Sequence, residues 1–358
     1  MNALRIAALA SAALLVAGCS GISYYYQAAR GQFELSHAAR PLPSVLADPA
    51  TSPELRTRLE AARAIRDYAS VDLKLPDNDS YRKYADLKRP FVVWNVFAAP
   101  EFSVRAREWC FPVAGCVGYK GWFDQKSAEA FAESTRREGY DVFVYGVPAY
   151  STLGWFDDPL LNTFIGYPRS ELARLIFHEL AHQVAYAEGD STFNESFATA
   201  VELEGVRRWL ARTGTDAERA EFEAMQLRKR DFVALVERTR TRLEAIYARE
   251  IDPESKRSAK AAEFAHMRSE YEVLKQRWSG FRGYDRWFNQ ALGNAHLASV
   301  ATYTQRVPAF DALLARSGGD LDRWYMEARR LAKLPATART TELDGLAPPP
   351  ATAAAGVP

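Results

Sequence analysis

Apolar residues recur at helical spacing through most of the second half of the chain. From residue 169 onward nearly every segment shows this pattern, and it is longest over residues 214–250 and 254–278, on either side of Asp252-Pro253. In both stretches the apolar positions lie at helical or heptad spacing, and charged residues stand between them. Such spacing predicts two long helices that pack as an antiparallel, coiled-coil-like hairpin with charged outer faces.

Shorter helices are predicted before and after this hairpin. Ser52 can cap a helix, Pro53 suits its first turn, and an apolar stripe follows. Two further helices are predicted near residues 308–316 and 320–333. Because the chain after about residue 336 is rich in Ala, Pro and Thr, we predict that residues 336–358 form a disordered tail.

The strand signals lie between the first helix and the helical half. Runs rich in β-branched and aromatic residues mark them, and a helix is predicted at about 125–138 among them. The predicted strands are residues 91–97, 116–123, 141–145 and, exposed at the surface, 150–156.

These elements predict one predominantly helical α+β domain over residues 53–335, with a small mixed sheet and the long hairpin. Residues 20–52 look irregular, and residues 19–52 are predicted to form the anchor and the segment that leads into this domain. The predicted parts of the domain are a strand-rich part (91–156), two helices that carry the candidate site (169–213), the hairpin (214–278) and C-terminal helices (279–335).

The first 18 residues have the pattern of a secretory signal peptide. A positive charge in Met1–Arg5 precedes an apolar run over Ile6–Val16, which is too short to remain as a membrane-spanning helix. Val16-Ala17-Gly18-Cys19 resembles the bacterial lipobox, in which the cysteine is acylated; an ordinary signal peptide is the alternative. Acylation of Cys19 would anchor the protein to the cell envelope, and Ser20 favours the outer membrane, facing the periplasm.

Composition narrows the function classes. The 358 residues are 48% hydrophobic and 25% charged, as in ordinary globular proteins, and the net charge is +1. Without a basic run or zinc-finger spacing, we predict no nucleic-acid partner. An exported chain meets oxidising conditions, so Cys110 and Cys116 are predicted to form a disulfide, with two free thiols as the alternative.

His178-Glu179-Leu180-Ala181-His182 is the strongest chemical signal in the sequence. Histidines four residues apart lie on the same side of a helix, so both imidazoles can reach one metal ion, and zinc favours such ligands. Glu179 can take a proton from the attacking water. Two solvated surface histidines are the alternative, but this helix is strongly apolar.

A catalytic zinc site needs a third protein ligand and one open position. We predict Glu195, which follows His182 after a short turn, although it also fits a capping box begun by Thr192. Glu202 is a substitute ligand or a carboxylate that supports the ligands. Other candidates for the third ligand are His266 and His296, and no role is predicted for His37.

His178–His182 followed by Asn194-Glu195-Ser196-Phe197-Ala198 resembles the bacterial predicted aminopeptidases, a family of envelope lipoproteins in the glutamate-zinc peptidase group. The resemblance covers about residues 22–335. It implies a zincin-like core, one zinc ion bound by His178, His182 and Glu195, and Glu179 as catalytic acid/base. Further matching segments are Cys110–Cys116, Tyr150–Asp158 and Asn294–Tyr303.

One feature of that group is missing. The better-known aminopeptidases carry a Gly-x-Met-Glu-Asn segment whose Glu holds the amino terminus of the substrate, and this chain has none. Their third ligand also lies further from the first two. We therefore expect a peptidase, first an aminopeptidase, with a zinc endopeptidase of the envelope or a metal-containing scaffold lipoprotein as alternatives. Tyr303 or His296 is predicted to donate a hydrogen bond to the oxyanion, and Ser151–Phe156 to pair with the peptide substrate.

Overall fold

A computed structural model describes residues 23–111, 115–149 and 151–346. The predicted signal peptide and the acylation site at Cys19 lie outside these residues. In chain order the helices are α1 (23–38), α2 (Leu42–Ala47), α3 (Pro53–Val71), α4 (Gln125–Arg137), α5 (Arg169–Ala181), α6 (Ser191–Thr213), α7 (Asp216–Tyr247), α8 (Pro253–Arg277), α9 (Asp285–Phe288), α10 (Asn294–Thr304), α11 (Val307–Arg316), α12 (Leu321–Ala332) and α13 (Ala336–Leu346). The fold is predominantly helical α+β, as predicted.

The strands are short apart from two. They are β1 (Arg40–Pro41), β2 (Lys83–Ala85), β3 (Val93–Pro100), β4 (Trp109–Phe111), β5 (Gly115–Val117), β6 (Lys120–Trp122), β7 (Tyr140–Val147) and β8 (Leu160–Leu161). In the main sheet the order is β6-β3-β7, with antiparallel pairs. A mixed sheet has the order β1-β2-β8, and β4 and β5 form a hairpin.

The local signals at the first predicted helix act as expected. Ser52 Oγ accepts a hydrogen bond from the backbone N–H of Leu55 at 3.2 Å, and Pro53 occupies the first turn of α3. Leu59, Ala62 and Ile65 are buried on one face, which packs into the main core. The start of α3 is therefore set by its cap and its orientation by the apolar stripe.

The predicted hairpin is confirmed as α7 and α8. Asp252 caps α8 by accepting a hydrogen bond from the backbone N–H of Ser255 at 3.0 Å. Arg242 of α7 reaches Glu263 and Glu270 of α8, at 2.7 and 2.6 Å. The apolar residues between α7 and α8 share one core cluster with residues of α9 and α10. The hairpin is therefore packed against the rest of the domain. Buried residues of α7 and α8 in this cluster are Phe232, Leu235, Val236, Leu243, Phe264, Met267, Tyr271 and Leu274.

Three predictions about local structure are wrong. Residues 23–38, predicted to be irregular, form α1, which buries Leu35 in the main core. Residues 336–346, predicted to be disordered, form α13, where Leu343 is buried and the guanidinium of Arg339 reaches Asp190 at 2.8 Å. Tertiary contacts therefore order both ends of the described chain despite their composition.

The third error concerns the exposed strand predicted over 150–156. Residues 151–156 form turns, with the backbone N–H of Trp155 bonded to the carbonyl of Thr152 at 3.1 Å. Positive φ angles of 58° at Leu153 and 81° at Gly154 turn the chain away from an extended path.

Helices α5 and α6 pack closely and form the centre of the main core. A Cβ atom at Gly205 of α6 would lie 2.8 Å from Cδ2 of Phe177 of α5, so only glycine permits this approach. Within the described residues, none of the helices combines the length and apolar character required to cross a membrane.

Candidate metal centre and active site

The two histidines of the sequence signal lie at the end of α5, where His182 caps the helix. Their ring centroids are 4.9 Å apart. Both imidazoles are buried, and so is the side chain of Glu179, the residue that follows His178 in the sequence. Because α5 is buried nearly all round, the two rings lie inside the protein and not on an open surface, which disfavours the alternative of two solvated histidines.

Glu195 of α6 points at both rings. Its Oε2 lies 3.2 Å from Nε2 of His178 and 3.7 Å from Nε2 of His182. Ligand atoms of the three residues all lie within 4.8 Å of one another. Two imidazole nitrogens and one carboxylate oxygen are the ligand set of many catalytic zinc sites, so these side chains fit the metal that the sequence predicts.

The turn between α5 and α6 is held by its own side chains. Asp190 caps α6 by accepting a hydrogen bond from the backbone N–H of Phe193 at 2.9 Å. Asn194 bonds the carbonyl and the N–H of Ala187, at 2.9 and 2.7 Å. Asp190, and not Glu195, therefore caps the start of α6. The carboxylate of Glu195 faces the two histidines instead.

Glu202, two turns after Glu195 on α6, contacts the ring nitrogen of His178 that Glu195 does not contact. Its Oε2 lies 2.9 Å from Nδ1 of His178 and accepts a hydrogen bond from Arg174 at 2.9 Å. Lys229 of α7 lies 3.5 Å from the other oxygen. Burial alone would raise the pKa of Glu202, but the positive charges of Arg174 and Lys229 hold it well below its usual range. Glu202 therefore carries a negative charge that orients His178.

The electrostatics of the two histidines differ. Burial lowers the pKa of His182 to about 4, so its imidazole is neutral and its nitrogen is free to bind a cation. Burial opposes charge at His178 too, but hydrogen bonds with Glu195 and Glu202 raise its pKa to about 10. The carboxylates of Glu195 and Glu202 thus stabilise a positive charge at the ring of His178, either on a bound proton or on a metal ion.

Burial brings the ionisation of Glu179 close to neutral pH. Burial raises the pKa of its carboxyl to about 8, and the neighbouring His178 opposes this rise. Its side chain faces the same cavity as the three candidate ligands. A carboxyl group whose pKa lies near the working pH can both take and return a proton.

Of the two predicted oxyanion donors, Tyr303 lies at the site. Its ring centroid is 6.5 Å from that of His178, and it lines the cavity. His296 does not line it: its ring stacks on Phe143 at 4.2 Å, and its Nδ1 accepts a hydrogen bond from the backbone N–H of Gly293 at 3.2 Å. The side chain of Phe143 faces the cavity instead.

The remaining histidines are remote. His266 is exposed on α8 and lies 3.5 Å from Glu270, and His37 is exposed on α1 beside Phe33. His266 and His296 are therefore not placed to complete the ligand set.

The predicted disulfide between Cys110 and Cys116 is present, and it ties β4 to β5. Phe111 and Val117, each next to a bonded cysteine, line the cavity. A Cβ atom at Gly115 would lie 2.6 Å from the backbone nitrogen of Gly189, in the turn between α5 and α6. The hairpin therefore packs against the turn that separates the candidate ligands.

These side chains surround a cavity of about 730 Å³ between α5, α6, α7, α10 and the face of the main sheet. Sequence reasoning missed several of its residues. Arg174 stands four residues before His178, so helical periodicity could have shown it. Nothing in the sequence indicated Tyr119 of the loop before β6, or Phe232 and Lys229 of the hairpin, because only the tertiary fold brings them here.

Comparisons with known proteins agree with the resemblance seen in the sequence. No curated protein and no solved structure matches the chain. A family model described as "Putative aminopeptidase" matches residues 23–343, which is nearly all of the described chain. The protein therefore belongs to that aminopeptidase family.

Proposed function

We propose that the protein is a zinc-dependent peptidase and, following the description of its family, an aminopeptidase. One observation carries the proposal: His178, His182 and Glu195 converge in a cavity that Glu179 also faces. When bound, zinc would act as a Lewis acid and lower the pKa of a water molecule. Three ligand residues leave a coordination position for that water, whereas structural zinc sites usually have four protein ligands. This count favours an enzyme over a scaffold lipoprotein.

The side chains of the chain have separate roles in this proposal. Glu179 takes a proton from the attacking water and returns it to the leaving amine. The hydroxyl group of Tyr303 donates a hydrogen bond to the carbonyl oxygen as negative charge develops on it. Glu202 holds the ring of His178 in the orientation and tautomer that present Nε2 to the metal.

Ser151–Phe156 is not suited to pair with the substrate as a strand, because this segment forms turns. Strand β7 is a better candidate. It has β3 as its partner on one side of the main sheet, and Phe143, Tyr145 and Val147 along it line the cavity. An extended peptide could pair with its other edge through backbone hydrogen bonds.

The test compares the wild-type protein with Glu179→Gln. We expect both to retain one zinc ion per chain by elemental analysis, and only the wild type to hydrolyse peptides. Because Gln cannot take up a proton, the loss should be at least about a hundredfold in kcat. Full activity in Glu179→Gln would remove Glu179 from the mechanism, and a wild-type protein without zinc or hydrolysis would refute the proposal.

An endopeptidase is the second candidate, and the charges of the cavity favour it. The carboxylates that line it are Glu179, Glu195 and Glu202, and each has a role at the candidate metal centre. None of the residues outside the described ranges is Asp or Glu. A substrate ammonium group would therefore find no carboxylate of its own, although burying a charge requires a partner.

Matched peptides with free and acetylated amino termini separate the two candidates. An aminopeptidase should lose activity when the amine is blocked. An endopeptidase should cleave both peptides at similar rates, at a bond inside the sequence that mass spectrometry identifies.

We also propose that the protein is a lipoprotein, acylated at Cys19 and held at the outer membrane facing the periplasm. The lipobox pattern supports this, and the described part of the fold starts at residue 23, close behind the cysteine. Metabolic labelling with a radioactive fatty acid should mark the wild type and not Cys19→Ser. A labelled Cys19→Ser protein would contradict acylation at this residue.

A further inference from the structure

Two aromatic side chains are exposed on a loop that borders the cavity. Trp155 is 73% exposed and Phe156 is 53% exposed. They belong to the loop of residues 151–158, whose Ser151 and Leu153 line the cavity. Since consecutive Cα atoms are about 3.8 Å apart, the backbone of Trp155 lies within about 8 Å of that of Leu153. The loop that carries the aromatic pair, Trp155 and Phe156, therefore borders the cavity.

The loop is held in this conformation by hydrogen bonds. Asp158 accepts two from Thr152, one from its backbone N–H at 2.9 Å and one from its hydroxyl group at 2.8 Å. Thr152 Oγ1 also accepts a hydrogen bond from the backbone N–H of Phe156 at 3.1 Å. The carbonyl of Asp158 accepts a further bond from the backbone N–H of Tyr81 at 2.6 Å. The exposure of the aromatic pair is thus imposed by an ordered loop.

The loop backbone carries strain and lies beside the candidate metal centre. Leu153 adopts a φ of 58°, a region that non-glycine residues seldom enter. A Cβ atom at Gly154 would lie 3.5 Å from the side-chain oxygen of Gln183, the residue after His182. Strained conformations of this kind persist only where surrounding structure enforces them, and they concentrate at ligand sites.

The cavity itself is largely aromatic and aliphatic on the walls away from the carboxylates. Tyr145, half exposed, continues this lining towards the solvent. Other members of these walls are Val93, Phe97, Phe143, Val147, Phe232 and Trp287. Such a lining favours apolar side chains of a substrate. The aromatic pair presents the same apolar chemistry on the loop that borders the cavity.

We propose that Trp155 and Phe156 form a second binding site for the peptide substrate, which makes the protein select long segments rich in apolar residues, such as unfolded polypeptide. This inference rests on the proposed peptidase function. The cavity holds the residues around the cleaved bond, and the aromatic pair packs against apolar side chains further along the same chain. Large aromatic side chains at such positions commonly supply most of the binding energy of a contact.

The test uses peptides that share one cleaved sequence. The short form is a tetrapeptide, and two long forms carry about ten Leu-, Phe- and Ser-rich residues at the amino or carboxyl end, enough to span about 33 Å when extended. The measured quantity is the ratio of kcat/KM for the better long peptide to that for the short one. We expect this ratio to fall about tenfold in the Trp155→Ala/Phe156→Ala double variant. Met326→Ala, which removes a side chain 55% exposed on α12, should leave the ratio unchanged.

A binding measurement gives a result that does not depend on turnover. In the Glu179→Gln background, the double variant should raise the Kd of the better long peptide about tenfold by fluorescence anisotropy. A wild-type protein that cleaves no peptide would refute the proposed function, whereas this binding difference tests the second site by itself.

Three outcomes would overturn the inference. One is an equal loss of kcat/KM on short and long peptides, which would mean that the loop only supports the cavity. Another is an unchanged ratio and an unchanged Kd. The third is that Trp155 and Phe156 contact membranes. In the unacylated Cys19→Ser protein, the double substitution would then weaken binding to phosphatidylglycerol vesicles. The ratio of kcat/KM between long and short peptides would stay unchanged.

Discussion

Oε2 of Glu202 lies 2.9 Å from Nδ1 of His178, on the side of the ring opposite to Glu195. The imidazole is thus held between two carboxylates, one on each nitrogen. Both carboxylates project from α6, and the histidine from α5. The close packing of two helices therefore sets the direction in which His178 presents Nε2 to a metal.

The first prediction follows from this contact. Glu202→Gln keeps the size of the side chain and removes its charge, so it should weaken the zinc affinity of the metal centre by about tenfold or more. Titration with a fluorescent chelator measures the affinity. Glu204→Gln is a matched control, because Glu204 lies on the same helix, pairs with Arg208 at 2.6 Å and does not line the cavity. Equal zinc affinity in Glu202→Gln and wild type would show that His178 needs no support from this carboxylate.

The second prediction separates the two candidate oxyanion donors. Tyr303→Phe should lower kcat by about a hundredfold or more, with zinc content and KM close to those of the wild type. His296→Asn should mainly reduce thermal stability, since His296 is buried behind Phe143. Steady-state kinetics and thermal unfolding of the two variants decide between them. The assignment would be reversed if kcat fell in His296→Asn and not in Tyr303→Phe.

The third prediction concerns the disulfide hairpin. Replacing both Cys110 and Cys116 with Ser should lower the free energy of unfolding by about 2 kcal/mol, because the bond closes a short loop. It should also lower kcat/KM, since Phe111 and Val117 line the cavity. Urea unfolding and peptide hydrolysis measure the two effects, and the wild type treated with a reductant should behave like the double variant. Activity that is unaffected by reduction would mean that the disulfide is not needed to shape the cavity.

The fourth prediction is a pH dependence. Burial raises the pKa of Asp158 to about 6, well above its ordinary value of 3.8, while hydrogen bonds from Thr152 oppose the rise. Because the folded state holds the proton more tightly than the unfolded state, this group stabilises the fold below about pH 4. Its contribution is lost as the pH rises through about 6, and it amounts to up to about 3 kcal/mol at 1.4 kcal/mol per pKa unit.

Urea unfolding of the wild type and Asp158→Asn between pH 4 and 7 tests this sign. The variant can differ from the wild type by a constant amount, because Asn changes the bonds with Thr152. The difference should nevertheless shift in favour of the variant as the pH rises. A shift in the opposite direction would show that the hydrogen bonds, and not burial, control the ionisation of Asp158.

Local signals were enough to predict much of the fold. The cap at Ser52 and the apolar stripe behind it define α3, and the periodic positions around Asp252-Pro253 define the α7–α8 hairpin. In each case the interactions that form the element join residues close in sequence, so the pattern is visible without a structure. The errors at α1 and α13 have the opposite cause. These helices are ordered by distant contacts, such as that of Arg339 with Asp190, which composition does not reveal.

The same division holds for the site. Helical spacing alone puts His178 and His182 on one side of α5, and the short turn that follows them suggests that Glu195 can return to meet them. The sequence left open whether Glu195 would cap α6 or face the histidines. In the structure Asp190 caps the helix, and Glu195 faces the histidines. Lys229, Phe232 and Tyr119 reach the cavity from elements far away in sequence. The sequence alone determined which groups could bind a metal and move a proton, because that chemistry belongs to the side chains. Only the tertiary structure decided what surrounds them, because the walls of the cavity come from helices and strands that meet through packing.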